Sequence, residues 1–234
     1  MMQRFNQRST ELELMDQETI GFSEFHDCLQ QLESINHLTL AYRPTLNWVS
    51  RWMKLPEPLV ILDVGCGGGD MLRQIERRFS QNAASTPLLI GIDLNPHAKQ
   101  SAQHLQSPCS IMYETANVFE FKNSQPIDLV ICSLFTHHLS DLQIVDFLRW
   151  LDRNAERGWF INDLHRHFIP YYFIKAATRL LSKNRLIRND AAVSVARSFT
   201  KSDWRHLLDR AGVTGRVNIS WYFPFRICVS CEKL

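Results

Sequence analysis

The chain has 234 residues, room for one domain and a covering subdomain but tight for two full domains. Hydrophobic residues make up 45% and charged residues 21%, the balance of an ordinary globular protein. The 26 basic and 24 acidic residues leave a formal charge of +2, which gives no electrostatic argument for nucleic acid or an anionic membrane as the main partner.

The first residues, Met1-Met2-Gln3-Arg4-Phe5-Asn6, are polar and carry no apolar core of a secretory signal. No apolar run reaches the roughly 18 residues that a membrane span needs. The expected location is therefore the cytoplasm, with Cys28, Cys66, Cys109, Cys132, Cys228 and Cys231 as free thiols. Residues up to about 20 are mixed and charged and read as a loose arm. Phe22, Phe25, Leu29, Leu32 and Ile35 then recur at helical spacing and predict one amphipathic helix. A second helix runs from Pro44 to Met53, before Pro56 and Pro58 break the chain.

From Leu59 the pattern changes. Apolar runs at 59–64, 88–93, 127–132 and 158–162 are separated by helix-like stretches at about 70–80, 95–106 and 140–155. A weaker strand at 110–113 fits between the second and third runs. Continuous apolar strands alternating with helices predict a parallel sheet covered on both faces. Residues 166–198 interrupt this rhythm with an aromatic segment and a basic stretch from Lys175 to Arg188. A helix capped by Thr200 or Ser202 then runs to about Ala211 and stops at Gly212. Two strands, 213–221 and 223–230, close the chain. Cys228 and Cys231 form a CxxC, but on a strand residues three apart face opposite sides, so they are read as ordinary strand cysteines rather than a metal or redox pair.

The most informative segment is Asp63-Val64-Gly65-Cys66-Gly67-Gly68-Gly69-Asp70, which leaves a strand and opens a helix. Glycines let the backbone turn sharply, and the helix N-terminus offers unpaired N–H groups to a carboxylate or phosphate. A dinucleotide fingerprint would put its third glycine at Asp70, where a carboxylate would repel a pyrophosphate. Asp63, two residues before the first glycine, stands where a ligand ammonium could be met. A ligand carrying both ammonium and carboxylate, such as the methionine end of S-adenosylmethionine, suits that pair better. Asp93 ends the second strand and can accept from both ribose hydroxyls, a feature that S-adenosylmethionine and NAD share. Asn117, after the third strand, stands where an adenine amino group could be read.

These segments, together with Leu129-Val130-Ile131-Cys132-Ser133-Leu134-Phe135-Thr136-His137-His138-Leu139, resemble the successive motifs of class I S-adenosylmethionine-dependent methyltransferases. The resemblance covers roughly residues 59–165 and the closing strand pair. It implies a doubly wound α/β fold with a mostly parallel seven-stranded sheet, an antiparallel final strand and a helical lid. It implies an arm and cap over 1–57, a cofactor core over 58–165, a lid over 166–198 and a completing helix and strand pair over 199–234. The implied cofactor contacts are Asp63, Gly65, Cys66, Gly67, Gly69, Asp93, Leu94, Asn117, Val118 and Ser133; Asn117 stands where the family usually has Asp. The implied cofactor is S-adenosylmethionine, with S-adenosylhomocysteine as product, and no metal is implied. Phe22–Ile35, Ser133–Leu139, Asn162-Asp163-Leu164 and the basic stretch are similar to a subgroup found with polyketide and phenolic-lipid biosynthesis, in secondary metabolism.

In an open α/β sheet the ligand sits beyond the carboxyl ends of the strands, here Ser133–His138 and Asn162–His167. His137, His138, His165 and His167 cluster in those loops, and a near-neutral histidine suits a phenol or carboxylate acceptor. His165 is the first choice of base by position and His138 the second; histidines after this strand also serve simply to support the loop, and alignment alone suffices in many methyltransferases. Phe168, Tyr171, Tyr172 and Phe173 either line an apolar acceptor pocket or pack on the core. Lys175, Arg179, Lys183, Arg185 and Arg188 either meet an acidic, carrier-bound or lipid-like partner or form a solvated face. The expected reaction is methylation, at oxygen rather than carbon, of a small aromatic, quinone-like or polyketide-derived acceptor. Nucleic acid is disfavoured because Cys132-Ser133-Leu134-Phe135 replaces the Asn/Asp-Pro-Pro-Tyr/Phe motif of amino-methylating DNA enzymes. The alternatives are an NAD-dependent oxidoreductase and a non-catalytic S-adenosylmethionine-binding protein.

Overall fold

The computed structural model describes residues 5–17, 19–82, 85–104 and 111–233. Cys109, Ser110 and the expected end of the helix at 105–106 lie outside them. The apolar runs form the parallel strands β1 (Val60–Val64), β2 (Leu88–Asp93), β3 (Met112–Thr115), β4 (Ile127–Ser133) and β5 (Ala155–Leu164). Two further strands, β6 (Arg216–Tyr222) and β7 (Arg226–Glu232), complete one seven-stranded sheet in the order β3-β2-β1-β4-β5-β7-β6. Strand β7 runs antiparallel to both neighbours. The expected doubly wound fold with an antiparallel final strand is the observed one. The all-parallel 3-2-1-4-5-6 order of NAD-binding folds is not.

The helices are α1 (Leu14–Gln17), α2 (Phe22–Leu38), α3 (Arg43–Val49), α4 (Asp70–Asn82), α5 (Pro96–His104), α6 (Asp141–Asn154), α7 (Phe168–Leu181), α8 (Arg185–Arg197) and α9 (Lys201–Ala211). Their ends are chemically marked. Ser140 and Gln143 form a capping box on α6, as Thr200 and Asp203 do on α9. Gly212 stops α9 at φ 71°, a left-handed position that favours glycine. Several boundaries differ from expectation, and the second helix ends at Val49, passing into a 3-10 turn over Ser50–Trp52 instead of running on to Met53. The closing strands shift by up to three residues because the turn centres on Phe223-Pro224-Phe225, where proline has no N–H for the ladder. Strand β5 begins three residues early, at Ala155, which pairs with Ile127 through a register shift.

Alternation along the strands splits the core into two layers. Leu62, Val64, Val130, Cys132, Trp159 and Ile161 point to α6 and α9, where Phe147, Trp150 and Trp204 fill the layer. Ile61, Leu129, Ile131 and Phe160 point the other way, to Trp48, Leu72, Ile75 and Phe79 of α3 and α4. Full burial of each such aliphatic or aromatic side chain contributes about 1.5–3 kcal/mol. Cys228 belongs to the second layer and Cys231 to the first, so the CxxC faces two sides as expected. The five described cysteines are buried, unbonded thiols. No helix among the described residues is long and apolar enough to cross a membrane.

The N-terminal arm is held down rather than loose. Arg8 donates from Nε to the Arg197 carbonyl and from its terminal nitrogens to the Leu139 carbonyl and the Asp141 carboxylate. Ser9 N–H donates to the Ala196 carbonyl. Composition shows a polar arm; these partners come from residues more than a hundred positions away.

Candidate active site

The glycine turn leaves β1 with Gly65, Gly67 and Gly69 at φ 70°, 51° and 75°. Gly65 and Cys66 N–H both donate to the Ile92 carbonyl, which ties the turn to the end of β2. A Cβ at Gly65 would lie 2.6 Å from Phe135, and one at Gly69 would collide with the Tyr113 ring and hydroxyl. These glycines are therefore required by packing as well as by their dihedrals. Leu29 of α2 lies over Gly67 and Gly68, so the N-terminal cap reaches the turn directly.

Asp93 ends β2 beside this turn. Its Oδ2 accepts from Gly67 N–H at 3.0 Å and its Oδ1 from Asn95 N–H at 2.9 Å. Burial raises its pKa, and these two N–H donors act against the rise. Leu94 follows with 73% of its surface exposed, an apolar side chain beside the acid. Val118 is buried in the core. Asn117 is half-buried: its Oδ1 accepts from Phe119 N–H and its Nδ2 donates to Glu120, so it forms a local turn.

Asp63 is the least ordinary residue of the site. It lies on the strand face where its neighbours Ile61 and Leu59 are core, and it is only 2% exposed. Its Oδ1 is fully buried without a hydrogen-bond partner. Burial, reinforced by the Asp70 and Asp93 carboxylates, raises its pKa well above the usual carboxylate range. It borders a small cavity shared with Asn36, Tyr42, Gly65, Asp70, Ser133 and Leu134. Leu134 adopts φ 56°, a conformation that side chains rarely take, and sits at the end of β4 in that wall. A buried orphan acceptor beside a cavity fits a ligand that brings an ammonium group.

The cap supplies residues that sequence reasoning missed. Tyr42 Oη donates to Asp70 Oδ2 at 2.5 Å, and Asn36 Nδ2 donates to the same oxygen at 3.2 Å. Tyr42 is thereby driven toward its neutral form by burial and by the adjoining Asp70 charge. Asp70, noted only for displacing a glycine, is thus the anchor of the cap. Nothing in the local pattern around Asn36 or Tyr42 signals this, because the partner is about thirty residues away.

The histidines fall into two groups. His165 continues from β5, half-buried, with its N–H on the Phe225 carbonyl and its ring stacked on His167 at 5.7 Å. Burial, then His167, Arg166 and Lys201, lower its pKa below the ordinary histidine value. His137 and His138 follow β4. His137 Nδ1 lies 2.8 Å from Asp163, which also accepts from Thr136 Oγ1 at 2.5 Å. Burial opposes ionisation of Asp163, but its contact with His137 and these hydrogen bonds hold its pKa well below the usual range. His138 Nδ1 lies 2.9 Å from Asp16 of the arm. Burial disfavours its charged form, yet Asp16 and Glu13 outweigh that and raise its pKa. Neither His138 nor His165 borders the Asp63 cavity.

Residues 166–198 form α7 and α8, inserted between β5 and α9. The aromatic segment divides between packing and exposure. Tyr171 is buried against Phe5, whereas Phe168, Tyr172 and Phe173 are 41%, 42% and 56% exposed. Phe173 meets Phe225, the residue whose carbonyl holds His165.

Residues 61–158 match the family model of a methyltransferase domain. Solved structures share the fold. The magnesium protoporphyrin IX methyltransferase of Synechocystis, with bound S-adenosylhomocysteine, superposes with a TM-score of 0.59 at 16% identity, covering 93% of this chain and 89% of that one. The plantazolicin methyltransferase in complex with the same product gives 0.62 at 17%, covering 91% and 89%. Human N-acetylserotonin methyltransferase with S-adenosylmethionine gives 0.65 at 15%, covering 91% of this chain and 56% of that one. No curated protein sequence matches the chain. Residues 61–158 thus match a methyltransferase domain, and the chain shares its fold with methyltransferases solved with S-adenosylmethionine or its product bound.

Proposed function

We propose that the protein transfers a methyl group from S-adenosylmethionine to an oxygen of a small, largely apolar acceptor of aromatic, quinone-like or polyketide-derived type. The observation that carries the reading is the orphan Oδ1 of Asp63, buried beside the glycine turn. An ammonium there would satisfy the one buried carboxylate oxygen left without a partner among the described residues. Asp93 would accept from the ribose hydroxyls, with Leu94 and Val118 flanking the adenine and Asn117 meeting its edge. Gly65, Cys66, Gly67, Gly69 and Ser133 would line the methionine moiety. The cofactor supplies a methyl group on a positively charged sulfur.

His165 would take the proton of the acceptor hydroxyl at Nδ1 or Nε2 as the new O–CH3 bond forms and the S–CH3 bond breaks. Its lowered pKa keeps the ring in the basic form at neutral pH. His138, the second candidate, is engaged by Asp16 and Glu13. The insertion over 166–198 would act as the acceptor lid, since exposed Phe168, Ile169 and Phe173 adjoin the loop of His165 and offer an apolar surface. That surface suits a lipid-like or carrier-bound acceptor, as in polyketide and phenolic-lipid pathways of secondary metabolism. The buried thiols suit a reducing cytoplasm.

Calorimetry with S-adenosylmethionine, S-adenosylhomocysteine and NAD tests the cofactor half, on the wild type and Asp93→Ala. The reading requires binding of the first two, no binding of NAD, and weaker binding by the variant. A phenol and quinol panel with detection of methylated product tests the acceptor half. Methylation at carbon alone would overturn the O-methyl assignment.

A further inference from the structure

We infer that Glu13, His137 and His138 bind a zinc-class divalent cation that clamps the N-terminal arm to the loop after β4. A carboxylate can only accept, so the Nδ1 atoms of His137 and His138 carry the hydrogens they share with Asp163 and Asp16. When a ring is neutral its Nε2 presents a lone pair, both lone pairs converge on the same carboxylate, and a proton on Nε2 is the ion's competitor there. His137 Nε2 is 3.5 Å from Glu13 Oε1 and His138 Nε2 is 3.9 Å from Glu13 Oε2. All three ligand atoms lie within 4.8 Å of one another.

These contacts are too long for good hydrogen bonds, and between unprotonated nitrogens and the carboxylate the repulsion is relieved by a cation, either a proton on Nε2 or a metal ion held between them. Donors bound tetrahedrally to zinc at about 2.1 Å stand about 3.4 Å apart, so the three ligand atoms, now within 4.8 Å of one another, draw together to seat an ion. The outer shell has the expected form: each imidazole donates its other nitrogen's hydrogen to a carboxylate, and Ser194 Oγ donates to Glu13 Oε1 at 2.9 Å. Arg197 donates to the carbonyls of both His137 and His138 and fixes the loop. Two imidazoles and one carboxylate select zinc, cobalt or nickel over magnesium or calcium, which take oxygen ligands. His137 and Glu13 are almost wholly buried, while the His138 side chain is 28% exposed.

The ligands come from segments more than a hundred residues apart. The ion therefore closes a long loop across the fold rather than decorating one. This inference stands independently of the methyl-transfer reading.

The test uses the full chain stripped with a chelator and then titrated with zinc chloride, with binding read by calorimetry and metal content by mass spectrometry. One equivalent binds to the wild type, and cobalt in its place gives the visible absorption of a low-symmetry four-coordinate site. Zinc also protects the bond after Arg8 from trypsin. Glu13→Gln and His138→Asn lose the site. Asp16→Asn, in the outer shell and partly exposed, weakens binding about 10- to 100-fold and serves should the buried variants fail to fold. The inference is overturned if the wild type takes up no zinc, or if variants with unchanged metal-free melting bind it as tightly as the wild type.

Discussion

Replacing Asp63 by asparagine separates stability from ligand binding in opposite directions. In the free protein Asp63 holds a buried oxygen with no partner, and two further carboxylates oppose its ionisation. Asparagine keeps the volume and removes the charge, so the unliganded variant should melt no lower than the wild type and should resist urea equally or better. With ligand the sign reverses. A hydrogen bond to a charged group contributes about 1.5–3 kcal/mol, so affinity for S-adenosylmethionine and S-adenosylhomocysteine should fall about 10- to 150-fold. 5′-Methylthioadenosine, which lacks the amino-acid portion, should bind both forms alike. Titration calorimetry with the three ligands, beside thermal melts without them, reads every term. A variant that melts lower yet binds S-adenosylmethionine unchanged would refute the reasoning, because Asp63 would then be a structural acid.

Asp93→Ala differs in kind: it strips the acceptor from the Gly67 and Asn95 N–H groups, so melting temperature and cofactor affinity should fall together, and denaturant curves beside calorimetry check this. His165→Gln should lower kcat about 100-fold or more with little change in cofactor affinity. Because burial and neighbouring cations lower the His165 pKa, its basic form persists below pH 6.5, and the acid limb of the wild-type rate profile should lie below that value; a limb above it rules His165 out as the base. Gly69→Ala should cost about 3 kcal/mol or more, since its left-handed φ combines with a collision at Tyr113, whereas Gly212→Ala, left-handed with no atom within 4 Å of the new Cβ, should cost about 1–2 kcal/mol in urea unfolding.

Local chemistry wrote much of the fold into the sequence. The uninterrupted apolar runs, alternating with helical stretches, indicate strands buried on both faces, and Thr200 or Ser202 with Gly212 marks both ends of α9, where the structure selects Thr200, without reference to anything distant. The glycine turn and Asp93 were legible for the same reason: dihedral demands and a carboxylate at a strand end are properties of neighbouring residues. The same reach explains Cys228 and Cys231, whose opposite facing follows from strand parity alone.

Tertiary structure decided what depends on meetings between remote segments. The arm reads as loose because its partners Arg197 and Leu139 are invisible from residues 5–17. His138 reads as a free base until Asp16 and Glu13 are brought to it, and Asn36 and Tyr42 carry no local mark of their bonds to Asp70. Hydrophobic periodicity records which face a residue buries, but it does not record which polar group waits on the other side. That pairing is set by the order in which the sheet stacks its strands and by the cap that folds back over their carboxyl ends.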